Sequence, residues 1–499
     1  MGKTAEELFE DVCRHARGIA ALGSINELLG WDERTQMPPA AAEYRAEQST
    51  LLAGLIHQRW IDARFGEQLE ALLQHSEGDA AIVAARLKRQ RDKRVKLPQR
   101  LVEELAHTAV LSQQAWEEAR EKNDFPAFRP LLERTIDLKR QQAEALGYPQ
   151  QPYDALLDDY EPEALTANVA DVLEGLRQEL VPLVAEIQHS ARKPDSAVLH
   201  GHFPVDVQDQ LGREAAAAIG FDFQRGRLDV TAHPFCCTVG PRDCRITTRY
   251  HEDFFSAAFF GILHEAGHGL YEQGLPVEHF GLPLGEAISL GIHESQSRLW
   301  ENLVGRSRAF WAHFLPRAQK HFPTLQSVSL EAFHFAINDV RPSLIRIEAD
   351  EATYNLHILI RFELETALIG GDLSVADLPG AWNEKYQRYL GMTPPDDRSG
   401  VLQDVHWSAG LIGYFPTYSL GNLYASQFFA AAESQLGDLG QAFARGDFRP
   451  LLDWLRTNIH QHGQRSSAAQ LVERVTGQPL SPRPLMEHLR RDIGALYGV

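Results

Sequence analysis

Apolar residues recur at intervals of three and four positions along most of this chain, with charged residues between them. This spacing is typical of amphipathic α-helices. It is clear over the ranges 40–58, 62–92, 98–122, 128–146 and 164–192. Thr4-x-x-Glu7 and Ser24-x-x-Glu27 match the capping box, so each predicts the start of a helix. The helical pattern returns at residue 253 and continues nearly to the C-terminus, which predicts a mainly α fold.

A different pattern covers residues 228–250, where β-branched residues form short runs. Gly240-Pro241-Arg242-Asp243 separates the last two runs and predicts a turn. We therefore expect one small antiparallel sheet directly before the next helix. No fixed-period repeat or low-complexity linker divides the chain, so we predict a single domain spanning residues 1–499.

Charge and composition limit the partners of this protein. With 49 Lys and Arg against 68 Asp and Glu, the net charge is −19, which argues against nucleic acid or an anionic membrane as the main partner. The N-terminus has no apolar signal-peptide core, and no apolar run is long enough to span a bilayer. Four cysteines are too few for a disulfide framework in 499 residues. We therefore expect a cytoplasmic protein.

The sequence His264-Glu265-Ala266-Gly267-His268 is an HExxH motif inside a predicted helix. Two histidines four residues apart lie on one face of a helix, so both rings can reach one Zn²⁺ ion. Glu265 is placed to act as a base on a metal-bound water. The alternative is a helix that carries two unrelated histidines.

A catalytic zinc typically has three protein ligands and one open position. The next histidines downstream, including His293, show no ligand spacing, so an acidic residue is expected. The range 283–305 predicts a helix that contains Glu286, Glu294 and Glu301. Glu294 follows the motif at a separation typical of gluzincins. We interpret Glu286 and Glu301 as solvated helix residues.

Further short motifs lie on both sides of this region. In chain order they are Trp31-Asp32-Glu33-Arg34-Thr35-Gln36-Met37-Pro38-Pro39, His233-Pro234-Phe235, Asp243-x-Arg245-x-Thr247, the HExxH, His293-Glu294-Ser295, Ile345-Arg346-x-x-Ala349-Asp350 and Gly400-x-x-Gln403-Asp404-x-His406-Trp407. With this ordered set the chain resembles the carboxypeptidase Taq family of metallocarboxypeptidases over nearly its whole length.

The resemblance implies a neurolysin-like and angiotensin-converting-enzyme-like helical fold, in which two helical lobes enclose a deep cleft. It implies one Zn²⁺ per chain, with Co²⁺ possible, held by His264, His268 and Glu294, and Glu265 as general base. It also implies a homodimer that acts on peptides with a free C-terminus.

Two further residues are candidates to stabilise the tetrahedral intermediate, whose negative charge needs donors besides the metal. The order and separation of His406 and Tyr418 resemble those of the His and Tyr used by neurolysin-like peptidases. Tyr414 is the competing tyrosine. Either tyrosine could instead be a buried aromatic residue.

A carboxypeptidase must also bind the terminal carboxylate, for which a guanidinium is suited because it forms two parallel hydrogen bonds. Arg346 is the leading candidate and Arg245 the second. A structural ion pair is the alternative at each site, with Asp350 for Arg346 and with Asp243 for Arg245. Asp350 or Asp404 could orient a ligand histidine.

These motifs together predict a zinc metallocarboxypeptidase of broad specificity that works by Glu265-assisted attack of metal-bound water. An endo-acting or dipeptide-releasing peptidase on the same fold would share every metal residue. A non-catalytic helical scaffold would make the HExxH incidental.

Overall fold

The computed structural model describes residues 4–499, and this part of the chain is built from twenty-one α-helices and three β-strands. The helices are α1 Ala5–Thr35, α2 Ala42–Trp60, α3 Ala63–His75, α4 Gly78–Lys96, α5 Gln99–Lys122, α6 Phe125–Leu146, α7 Pro152–Leu157, α8 Thr166–His189, α9 Val205–Ile219, α10 Phe255–Gly274, α11 Leu290–Arg298, α12 Arg308–His321, α13 Leu330–Ile337, α14 Thr353–Gly370, α15 Leu378–Leu390, α16 Pro416–Leu436, α17 Leu439–Ala444, α18 Arg449–Asn458, α19 Ala468–Thr476, α20 Arg483–His488 and α21 Ala495–Tyr497. The strands are β1 Gly226–Val230, β2 Cys236–Gly240 and β3 Asp243–Thr248. The prediction of a mainly α fold is confirmed.

Local signals placed some helix ends correctly and others not. Thr4 caps α1 as predicted, since its hydroxyl accepts a hydrogen bond from the Glu7 amide and its own amide donates to the Glu7 carboxylate. The Ser24 capping box is wrong as a helix start because α1 continues through it to Thr35. The predicted helix 62–92 is two helices, because the chain is extended at Ser76 between α3 and α4.

The small sheet lies where the sequence predicts it, but it is mixed rather than antiparallel. Its strand order is β1-β3-β2. β2 and β3 form the predicted antiparallel hairpin, with Arg242 in the left-handed region at φ 78°. β1 pairs with β3 in parallel. The residues between β1 and β2 cross the sheet, a connection that period-two alternation does not reveal.

Helices α10, α11 and α16 pack closely because glycines allow their backbones to approach one another. A Cβ at Gly267 of α10 would lie 2.5 Å from the Gln296 carbonyl oxygen of α11. A Cβ at Gly421 of α16 would lie 2.5 Å from Cγ of Glu294. The helix that carries Glu294 is therefore held between α10 and α16.

The apolar interior consists of two clusters. The large one surrounds α10, α11, α14 and α16, and the smaller one joins α1, α3 and α4 to Leu282 and Leu284. No helix within residues 4–499 has the length and apolar character needed to cross a membrane.

Candidate metal centre

The three predicted metal ligands converge at one point. His264 and His268 project from the same face of α10, and Glu294 faces them from α11. The Nε2 atoms of the two histidines lie 3.7 and 3.3 Å from Glu294 Oε2, respectively. One ligand atom from each residue lies within 4.8 Å of the others. Two imidazoles and a carboxylate in this arrangement fit a tetrahedral metal that keeps one position open.

Glu301 pairs with one of the predicted ligands, His264, and its interpretation as a solvated residue is wrong. Its Oε2 lies 2.9 Å from Nδ1 of His264, and its side chain is largely buried. The predicted helix 283–305 begins only at Leu290 and changes to a π-helix over Leu299–Val304. Glu301 follows Glu294 by seven residues, close to two helical turns, so 3.6-residue periodicity places both carboxylates on one face. What the sequence does not show is that this face is buried against α10.

His293 also belongs to the site, although its spacing in the sequence suggested no role. Nδ1 of His268 lies 3.1 Å from the His293 carbonyl oxygen and 2.6 Å from the ring Nδ1 of His293. The only signal in the sequence was its position next to Glu294. Glu286 lies before α11 and, with a half-buried side chain, is not the solvated helix residue that we expected.

The charges at the site favour a cation. Burial opposes ionisation of Glu294, yet Arg298 and His264 hold the pKa of this carboxyl well below its usual range. Burial also opposes protonation of His264, but Glu294 and Glu301 raise its pKa to about 9. Burial lowers the pKa of His268 to about 4, which leaves the neutral ring that a metal requires. The carboxylates that hold a proton on His264 would equally attract a metal ion, whose binding releases that proton. The donor set therefore fits a divalent metal ion.

Glu265 lies beside the ligands and is buried. Its burial raises the pKa of the carboxyl to about 7, while the neighbouring His264 opposes this rise. A carboxylate with a pKa close to neutrality can both accept and return a proton during one reaction cycle.

His406 and Tyr418 lie together on the α16 side of the site. The Tyr418 hydroxyl is 3.5 Å from Nε2 of His406. Tyr418 is one helical turn before Gly421, the residue that contacts Glu294. Burial lowers the pKa of His406 to about 4, so the ring is neutral. The Tyr414 ring packs against both residues and stays a candidate.

Arg346 is buried near the same tyrosines, and its acidic partner is Asp404 rather than the predicted Asp350. Nε and Nη2 of Arg346 lie 2.9 and 2.8 Å from Asp404 Oδ1. Its Nη1 donates to the Tyr354 hydroxyl at 3.2 Å, and its guanidinium lies 5.4 Å from the Tyr418 ring centre. Asp404 also accepts hydrogen bonds from Arg361.

The remaining candidates have structural partners. Arg245 forms two parallel hydrogen bonds with Asp243 at 2.9 and 2.8 Å and packs over Trp31 of α1. Asp350 accepts hydrogen bonds from backbone amides at the start of α14. Nδ1 of His264 faces Glu301 and Nδ1 of His268 faces His293, and the described hydrogen bonds of Asp350 and Asp404 go to other residues.

Comparisons with known proteins agree with this geometry. The sequence profile of the family described as carboxypeptidase Taq (M32) metallopeptidase matches residues 11–493. Thermostable carboxypeptidase 1 of Thermus thermophilus is 50% identical over 99% of this chain and 100% of its own length. Carboxypeptidase 1 of Bacillus subtilis is 39% identical over 99% of both chains.

Among solved structures, the M32 carboxypeptidase from Deinococcus radiodurans R1 matches with a TM-score of 0.96. It is 42% identical, with 99% of this chain and 100% of that chain covered. Metallocarboxypeptidase 1 of Trypanosoma cruzi matches with a TM-score of 0.93 at 33% identity, over 97% of this chain and 99% of that chain. The chain therefore belongs to the carboxypeptidase Taq (M32) family and is a metallocarboxypeptidase, a hydrolase that acts on peptides.

Proposed function

We propose that this chain is a zinc carboxypeptidase of broad specificity whose single metal ion is held by His264, His268 and Glu294. The convergence of their three ligand atoms within 4.8 Å is the observation that carries the proposal. Zinc suits two imidazoles and one carboxylate, and Co²⁺ accepts the same donors. When bound, the metal supplies Lewis-acid activation of water and of the scissile carbonyl.

Glu265 is the general base of the proposed reaction. Its buried carboxylate accepts the proton of the attacking water and returns it to the leaving amine. The pKa of about 7 supports both transfers near neutral pH.

His406 and Tyr418 donate hydrogen bonds to the oxygen on which charge develops. A neutral imidazole and a phenol are both donors, and the low pKa of His406 keeps its ring neutral. Donors that are already in position stabilise the transition state without reorganisation. Tyr418 is preferred to Tyr414 because its hydroxyl faces Nε2 of His406.

Arg346 is the proposed receptor for the terminal carboxylate of the substrate. It lies next to Tyr418 and Tyr354, whereas Arg245 packs over Trp31 of α1. Asp404 neutralises part of the Arg346 charge, and Arg361 shares that carboxylate. Arg346 therefore keeps cationic character toward a substrate.

The test combines metal content with substrate choice. The purified protein should contain one equivalent of metal and release C-terminal residues from unblocked peptides, and a chelator should abolish the release. Glu265→Gln should retain the metal and lose about 10²- to 10⁴-fold in rate, as is typical when a general base is removed. Cleavage of C-terminally amidated peptides as fast as of free acids would instead favour the endo-acting or dipeptide-releasing alternative.

We also propose that the chain is one catalytic domain with two helical lobes around a cleft, and that it works in the cytoplasm as a homodimer. The four cysteines are free thiols, which suits a reducing compartment. The dimer rests on the family resemblance. Light scattering at the purified concentration checks it, and a mass of one 56.0 kDa chain would contradict it.

A further inference from the structure

The two metal histidines have different partners at Nδ1. His264 meets the Glu301 carboxylate directly, at 2.9 Å. Within residues 4–499, Nδ1 of His268 contacts only the carbonyl oxygen and ring of His293. His293 in turn places Nε2 2.8 Å from Oε1 of the buried Glu272 carboxylate. His268 is thus connected to a carboxylate through a second imidazole.

One arrangement of protons satisfies all of these contacts. Nε2 of His268 faces Glu294, so it keeps its lone pair for a metal and Nδ1 carries the proton. Nε2 of His293 faces a carboxylate and donates to it, which leaves Nδ1 of His293 as the nitrogen that accepts from His268. The proton on His268 Nδ1 therefore points at an acceptor.

The far end of this chain of contacts is also anchored. Oε2 of Glu272 accepts a hydrogen bond from the Thr238 hydroxyl of β2 at 2.9 Å. Glu272 lies one turn after His268 on α10, and His293 precedes Glu294 on α11. The contacts thus tie together the two ligand helices and the strand beside them.

We propose that His293 and Glu272 are positioning residues that fix the ring orientation and tautomer of His268. Through the His293 ring, the negative charge of Glu272 also strengthens His268 as an electron-pair donor. They do for His268, through one intervening ring, what Glu301 does directly for His264. Outer partners of this kind typically change metal affinity by 10- to 100-fold. The inference rests on the proposed ligand set of His264, His268 and Glu294.

The test measures metal affinity rather than activity. Zn²⁺ affinity is determined by competition with a chromophoric chelator, and the absorption spectrum of the Co²⁺ form reports the geometry of the ligands. Glu272→Gln keeps an acceptor and removes the charge, so we expect about tenfold weaker binding. His293→Leu removes the connection, so we expect up to 100-fold weaker binding and an altered Co²⁺ spectrum.

A matched control is available elsewhere in the fold. His488 is also held between two carboxylates, those of Glu351 and Asp492, at 3.1 and 2.8 Å. His488→Gln disrupts a comparable buried contact and should leave metal affinity and the Co²⁺ spectrum unchanged.

Two outcomes separate this inference from the proposed function. If Glu294→Gln loses metal while Glu272→Gln and His293→Leu bind it like the wild type, the two residues only pack and the inference is overturned. If Glu294→Gln itself binds metal normally, the ligand set is wrong. Should His293→Leu fail to fold, Glu272→Gln decides alone, because its side chain has nearly the same shape.

Discussion

Gly267, inside the HExxH motif, sets how closely the two ligand helices approach. A Cβ added there would lie 2.5 Å from the Gln296 carbonyl oxygen and 2.6 Å from Cα of Ser297. Real Cβ contacts stay above 3.0 Å and ordinary van der Waals contact begins near 3.4 Å, so Gly267→Ala must separate these backbones by about 0.5–0.9 Å. Both contacts are with backbone, which cannot rotate away as a side chain can.

This displacement acts directly on the proposed metal site. Gly267 precedes His268, and Gln296 lies two residues after Glu294. Metal–ligand distances tolerate only about 0.2 Å of error. Overpacking of this kind costs about 1–3 kcal/mol. If that cost falls on metal binding, affinity decreases by roughly 10- to 100-fold, since about 1.4 kcal/mol corresponds to a factor of ten.

The assay is chelator competition for Zn²⁺, together with thermal unfolding of the metal-free protein. Gly261→Ala on the same helix is the matched control, because its Cβ would meet only the Thr248 hydroxyl, at 3.7 Å. We expect that control to bind metal normally and to gain up to about 1 kcal/mol of helix stability. If Gly267→Ala binds Zn²⁺ as tightly as Gly261→Ala does, close helix contact does not determine the metal geometry.

Three further predictions concern other buried charges. Glu301→Gln should weaken Zn²⁺ binding by about 10- to 100-fold because the partner of a ligand histidine loses its charge; unchanged affinity in chelator competition would contradict this role. Asp404→Asn should lower the free energy of unfolding by about 3–5 kcal/mol, since the two buried arginines it bonds lose their anionic partner; urea denaturation followed by circular dichroism measures the loss, and a change below about 1 kcal/mol would count against it. The carboxylates beside His488 raise its pKa from 6.5 to about 9 against burial, so its stabilisation is complete below pH 6.5 and is lost as the pH rises through 9. That contribution to the free energy of unfolding is on the order of 3 kcal/mol. The wild type should therefore melt at a higher temperature than His488→Gln at pH 6, and this difference should disappear by pH 10. An equal difference in melting temperature at both pH values would disprove the role of His488.

Much of the architecture followed from local patterns in the sequence. Helical periodicity is repeated many times along a long helix, so the mainly α fold and most helix positions were predictable. The HExxH motif placed two histidines on one face because the geometry of a helix relates residues four apart. Glu294 could be chosen as the candidate third ligand because its separation from the HExxH motif is typical of gluzincins. The small sheet was also located from its β-branched residues.

Tertiary structure alone decided which polar residues serve the site. The sequence assigned Glu301 to solvent because it could not show that the helix face shared by Glu294 and Glu301 packs against His264 of α10. The pairing of Arg346 with Asp404 joins residues 58 positions apart, and no local pattern specifies such a contact. His293 gave no signal by spacing, yet folding places its ring between a ligand and a buried carboxylate.

There is a physical reason why the sequence predicts some of these features and misses others. Periodicity and motif spacing report contacts within a few residues of the same element, where backbone geometry fixes the distances. The outer partners of the metal ligands come from separate elements, and their approach depends on how helices pack. Here that packing depends on close contacts at Gly267 and Gly421. The sequence alone therefore predicted the candidate metal ligands and the helical nature of the segments that carry them, because both follow from local spacing. The packed structure decided where α11 begins and which side chains surround the candidate ligands.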